Sequence, residues 1–189
     1  MFTQNQVILG EEKTQEAVLT ITSHLHFREE KNQKSTYKGK IKFHIFEFST
    51  EEEQDKTSAI DFFLSKKEAK YLFYRLLHGS CREGMTFYGG KSGAKPVAKG
   101  LWFTPIIGYN GVSAMEIRII QGEGKVNSDG LVVFQEDIKR ESVTITLPID
   151  TIKLLAFECL DYIQNEEVVA QINGNPLYDQ IKIQPFKRK

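Results

Sequence analysis

The chain has 189 residues, of which 40% are hydrophobic and 26% charged, a balance that suits a folded globular protein and excludes a disordered or collagen-like one. Its 25 basic and 25 acidic residues cancel, which excludes a uniformly basic, histone-like binder but not a segregated basic face. No apolar run approaches the roughly 20 residues of a membrane helix. Residues 1–10 lack the basic start and apolar stretch of a signal peptide, and Cys81 and Cys159 alone make no disulfide framework. These features lead us to expect a cytoplasmic protein without membrane attachment.

In chain order, the first clear signal is alternation. Leu19, Ile21, Leu25 and Phe27 alternate with Thr20, Thr22, His24 and His26, and Ile41, Phe43 and Ile45 alternate with Lys40, Lys42 and His44. Period-two patterning with one polar face predicts antiparallel strands, each buried on one side. Glu47 to Asp55, with five acids and no apolar pattern after Phe48, reads as an exposed loop. Ile60, Phe62 and Leu64 then run into a predicted helix. Ser65 and Glu68 form a capping box, Ala69, Leu72, Phe73, Leu76 and Leu77 share one face, and Gly79 suits a left-handed terminus.

Gly84 to Gly100, glycine-rich and carrying Lys91, Lys95 and Lys99, reads as a flexible basic linker. Beyond it, Trp102, Phe103 and Tyr109 are placed on a strand. Met115, Ile117 and Ile119 alternate with Glu116, Arg118 and Ile120, and Leu131 to Phe134 is a short apolar run. Val143, Ile145 and Leu147 lead into a second helix after Asp150, carrying Ile152, Leu155, Ala156, Cys159, Leu160 and Ile163 and stopping near Asn165. Asn173-Gly174-Asn175-Pro176 signals a turn in a tail that ends in Lys187-Arg188-Lys189.

A displacement of 83 residues lays Ile60–Leu64 on Val143–Leu147 and Leu72, Phe73, Leu76 and Leu77 on Leu155, Ala156, Cys159 and Leu160. The expected fold is therefore α+β, a duplicated unit of about four antiparallel strands followed by one helix. One domain is expected, with a first half over about 5–80, a linker over 81–100, a second half over about 101–165 and a tail over 166–189.

Few patterns carry catalytic chemistry. Gly89-Gly90-Lys91-Ser92 invites a phosphate-loop reading, but the glycine needed five positions before the Gly-Lys-Ser triplet is Met85, and Gly93-Ala94-Lys95-Pro96 starts a helix poorly. His24, His26 and His44 can be imagined around a metal, yet no carboxylate or cysteine accompanies them at ligand spacing. Cys159 on an apolar helix face reads as a small hydrophobe. Neither a cofactor nor a catalytic residue is assigned.

What remains is lysine interleaved with aromatic residues. Tyr37-Lys38-Gly39-Lys40-Ile41-Lys42-Phe43 puts Lys38, Lys40 and Lys42 on one strand face. Single-stranded nucleic acid is held by this mixture, cations tracking phosphates while aromatic rings stack on bases. The candidate binding residues are Tyr37, Lys38, Lys40, Lys42, Lys91, Lys95, Lys99, Trp102 and Tyr109, with a protein-interaction or assembly module as the alternative reading.

Three segments resemble the Whirly proteins and their positive-cofactor-four-like relatives. Ile60-Asp61-Phe62-Phe63-Leu64-Ser65-Lys66-Lys67-Glu68 is similar to the family's strand entering its first helix. Met85-Thr86-Phe87-Tyr88 is similar to the aromatic strand after that helix, and Val143-Thr144-Ile145-Thr146-Leu147-Pro148-Ile149 to the second strand-helix corner. Tyr37-Lys38-Gly39-Lys40 resembles the family's lysine-glycine-lysine motif but sits in the third strand rather than the first. The resemblance implies single-stranded DNA or RNA as partner, sheet surfaces as the binding face, and a homo-oligomer, dimer or tetramer, assembled through the helices.

Overall fold

The structure, a computed structural model, describes residues 7–25, 28–31, 34–37, 39–48, 58–79, 83–107, 113–136 and 139–172, with the backbone alone for 28–31 and 34–37. Strands β1 (Val7–Lys13), β2 (Ala17–His24), β5 (Lys40–Glu47) and β6 (Ser58–Ser65) form an antiparallel sheet in that order, and helix α1 (Lys66–Leu77) follows. Between β2 and β5, β3 (Arg28–Lys31) and β4 (Lys34–Tyr37) form a separate hairpin. The second sheet is built from β7 (Met85–Lys91), β8 (Val97–Ile107) and β9 (Ser113–Val126). The first part of β9 pairs with β11 (Glu141–Pro148), its end with β10 (Val132–Phe134), and helix α2 (Ile149–Ile172) follows.

The fold carries the duplication. β6 and α1 begin at 58 and 66, β11 and α2 at 141 and 149, so each pair of starts differs by 83. Ala69, Leu72, Phe73 and Leu76 of α1 are buried, as are their counterparts Ile152, Leu155, Ala156 and Cys159 of α2. α1 starts as its residues dictate, with Ser65 capping the Glu68 amide and the Glu68 carboxylate accepting from the Ser65 N–H at 2.9 Å. It ends at Gly79, whose φ of +65° lies in the left-handed region.

One core joins both halves. Ile41, Phe43 and Ile45 of the first sheet and Leu101, Phe103, Ile117 and Ile119 of the second are buried together with the helices' apolar faces. Phe43 marks the junction, its ring 6.1 Å from that of Phe73 on α1 and 6.0 Å, edge to face, from Phe103 on β8. α2 packs on α1 and on β1. There Leu155 occupies the space a Cβ on Gly10 would take, 2.4 Å from it.

One backbone group on each of the edge strands β6 and β11 is taken up by a side chain of the opposite half. Lys99 of β8 donates to the Asp61 carbonyl on the β6 edge at 2.8 Å, and the Thr144 N–H on β11 donates to the Glu47 carboxylate at the end of β5. Each removes an unpaired backbone group that invites strand addition.

Several expectations are corrected. Within the expected linker over 81–100, residues 83–100 are not a flexible loop: β7 occupies 85–91 and β8 begins at 97, because glycines there serve close approach. A Cβ on Gly90 would meet the Val97 carbonyl at 2.5 Å, and one on Gly100 the Trp102 ring at 2.3 Å. Asn165 does not stop α2, since its side-chain amide donates back to Asp161 at 3.0 Å and the helix runs on to Ile172. The expected tail therefore begins inside a helix, and 173–189 lie outside the described residues, as do the acidic loop after Phe48 and Tyr109.

Candidate nucleic-acid interface

On the first sheet the strand period sends Ile41, Phe43 and Ile45 inward and Lys40, Lys42 and His44 outward. The register places His24 and Thr22 of β2 opposite Lys40 and Lys42, and Phe63 and Asp61 of β6 opposite Lys42 and His44. This outer face is cationic and aromatic at one end. The Phe63 ring is 44% exposed, with the Lys40 ammonium 5.9 Å from its centroid and the His24 imidazole edge-on at 5.5 Å. The neighbouring end is neutralised: Asp61 lies 2.6 Å from His44 Nδ1 and 3.9 Å from Lys42 Nζ. Burial, reinforced by Lys42 and opposed by Asp61, lowers the His24 pKa below its ordinary 6.5, so His24 is a neutral hydrogen-bonding ring at pH 7.

The outer face of the second sheet carries Tyr88, Trp102 and Arg118 on adjacent strands. Trp102 stands opposite Arg118, and Tyr88 stands opposite Gly100. The Trp102 ring folds back over Gly100, where any Cβ would collide with it, and meets Tyr88 edge-on with centroids 5.9 Å apart. Tyr88 is 69% exposed. Arg118 is paired with Glu116 at 2.9 Å but keeps 44% of its side chain in solvent.

Of the residues singled out in the sequence, the structure brings Lys40 and Lys42 to one outward face and Trp102 to the other. Lys91 and Lys95 are exposed near the β7–β8 turn. Lys99 is half-buried and set apart from these: its ammonium donates to the Asp61 carbonyl on β6 at 2.8 Å, and burial lowers its pKa against the pull of Asp61. Tyr37 ends β4, paired with Arg28, and so is not continuous with Lys40 and Lys42. Lys38 and Tyr109 lie outside the described residues. Phe63, Tyr88 and Arg118 were missing from the candidate set, although Phe63 and Tyr88 were detectable as aromatics at the polar phase of their strands.

The weaker motifs resolve. Gly89-Gly90-Lys91 lies in β7 and leads through a turn into β8, not into a helix as a phosphate loop requires. Among the described residues no three histidine, cysteine or acidic side chains stand close enough to hold a metal, and His26 is outside them. Cys159 is fully buried, which pushes its thiol up to about 12. No helix among the described residues is long and apolar enough to cross a membrane.

Two solved structures share this architecture over nearly their whole length. The plant transcriptional regulator PBF-2 superposes with a TM-score of 0.51 over 90% of this chain and 95% of its own, at 11% sequence identity. WHY1 from Arabidopsis thaliana superposes with a TM-score of 0.53 over 92% and 94%, at 14% identity. The fold is Whirly-like. No family model and no curated protein matches the chain, so the likeness is one of fold. Within the Whirly-like frame the strand-helix corners at 58–77 and 141–172 occupy the equivalent place in the two halves.

Proposed function

We propose that this chain is a non-enzymatic single-stranded nucleic-acid-binding protein, DNA being favoured over RNA, that works through the outer faces of its two sheets. The observation that carries this reading is the outward grouping of Lys40, Lys42 and Phe63 on one sheet and of Tyr88, Trp102 and Arg118 on the other. Rings stack on bases without regard to sequence, and ammonium and guanidinium groups follow the phosphates. Lys91 and Lys95 extend the cationic rim in this reading, and Tyr37, Lys38 and Tyr109 remain candidates at its margin. Because the net charge is zero, affinity depends on this local segregation and weakens as salt rises.

Self-association accompanies the proposal. Leu154, Phe157, Val168 and Val169 of α2 and Tyr71 and Tyr74 of α1 are at least half exposed, an apolar cover for a second copy on the side of the helices rather than the sheets. Sedimentation of the protein alone tests this part, and a monomer at micromolar concentration refutes it.

The binding test is fluorescence anisotropy of a labelled oligonucleotide of about 30 nucleotides, long enough for several site sizes, as DNA and as RNA, with duplex competitor at two salt concentrations. Salt-sensitive binding that single strands win supports the reading. Absence of binding at low salt refutes it and leaves the protein-assembly alternative.

A further inference from the structure

Among the described residues, two buried side-chain polar atoms have no hydrogen-bond partner: Thr22 Oγ1 and His24 Nε2. Buried polar groups are nearly always satisfied, so each exception asks for a reason. These two are not scattered. They stand two residues apart on the same side of β2, the side that carries the lysines and Phe63. Thr22 is only 5% exposed although its strand phase turns it away from the core. Its neighbour on β5 is Lys42, and that of His24 is Lys40. Both are long flexible chains that can swing aside without backbone movement.

We infer that Thr22 and His24 form a base-reading subsite, in which the hydrogen-bonding edge of one nucleobase of a bound single strand pairs with Thr22 Oγ1 and His24 Nε2 while its ring lies against Phe63. This deepens the proposed function and rests on it. The chemistry fits on each count. A hydroxyl both donates and accepts, and a neutral imidazole offers one donor and one acceptor, which matches the mixed edges of bases better than the acceptor-only phosphate. The lowered His24 pKa keeps the ring in that neutral form. The exposed Phe63 ring, against whose face or edge His24 already packs at 5.5 Å, provides an apolar surface beside the polar pair. Lys40 and Lys42 flank the pair as cations for the phosphates on either side. An unpartnered pair in the free protein also sharpens discrimination, because a base that cannot complete the bonds leaves them buried and unmade.

The test compares wild-type protein with Thr22→Val and His24→Phe, variants that keep side-chain shape and remove the polar atoms. Anisotropy titrations use short homopolymers of dA, dC and dT, and each protein's unfolding midpoint is measured in urea. The wild type should prefer one homopolymer by about fivefold or more, the size of one net hydrogen bond. Both variants should bring the three within about twofold while keeping the salt slope. The Thr22→Val midpoint should stay level or rise, since no hydrogen bond of the free protein is lost. Equal affinities for the three homopolymers in the wild type, a preference that survives Thr22→Val, or a lowered Thr22→Val midpoint each overturn the subsite alone. Failure to bind any homopolymer at low salt overturns the function proposed above, and the subsite with it.

Discussion

Gly100→Ala is the most direct probe of the aromatic face on the second sheet. A Cβ there would lie 2.3, 2.5 and 3.0 Å from three carbons of the Trp102 ring. Ordinary contacts of this kind exceed about 3.4 Å, so the ring must retreat by about 1 Å or leave its seat. Small-to-large changes of this kind cost about 1–3 kcal/mol, and removing a strand glycine returns about 0.5–1 kcal/mol. The expected net loss of stability is therefore at most about 2.5 kcal/mol, readable in urea unfolding. The same shift breaks the edge-to-face contact with Tyr88 and moves the proposed stacking platform. Losing one stacked base costs about 1–3 kcal/mol, so single-strand affinity should fall at least about fivefold. Trp102→Ala should fall as far, and the double variant no further than Trp102→Ala alone, because both changes remove the same platform. Gly100→Ala with unchanged affinity, or additive losses in the double variant, would refute the argument that the seated ring is the contact.

Further predictions divide charge from structure. Replacing Lys40 and Lys42 together with alanine should lower the slope of log affinity against log salt by about 1.4, at about 0.7 per phosphate contact on a single strand, whereas Lys99→Met should leave it unchanged because that ammonium is already held by the Asp61 carbonyl. Glu167, 9% exposed, binds Lys70 at 2.6 Å and Lys66 at 3.3 Å between the helices. Glu167→Ala removes the carboxylate that holds the partly covered Lys70 ammonium and should destabilise by about 1–2 kcal/mol in urea unfolding, less than the loss of one partner from a fully buried pair. Because the His24 pKa is lowered in the fold, the unfolded chain binds its proton first, so stability should decline as pH drops below the ordinary 6.5 and level off once the native ring is protonated. His24→Phe should remove that segment of the pH profile. With Cys81 replaced by serine, Cys159 should resist thiol reagents until the chain unfolds, and its raised pKa should make stability decline as pH climbs past 9.0.

Local patterning by itself determines much of this protein's secondary structure. Alternation at Ile41–Ile45, Ile60–Leu64 and Val143–Leu147 marked strands with one buried face, and the Ser65–Glu68 box with Gly79 marked both ends of α1, because these signals depend on neighbours a few residues apart. The displacement of 83 residues disclosed the duplication, since equivalent faces must be apolar in both copies. β1 escaped detection: it is an edge strand with a register shift between Ile8 and Gly10 that breaks the alternation. The aromatic start of β7, Met85–Tyr88, is legible as strand by its resemblance, but its end at Gly89–Lys91 reads as linker because those glycines accommodate Phe62 and Val97 rather than a turn.

What only tertiary structure decided is which lysines and aromatics share a surface. Lys99 lies in a glycine- and lysine-rich stretch like Lys91 and Lys95, yet the packing of one half on the other turns it toward the β6 edge. Phe63 and Tyr88 gain meaning only beside Lys40 and Trp102, residues 23 and 14 positions away in the chain but within one ring of them in space. A strand's sequence tells which side chains share a face. Pairing register and the packing of two sheets tell which faces meet solvent, and those are set by contacts between residues far apart in the chain.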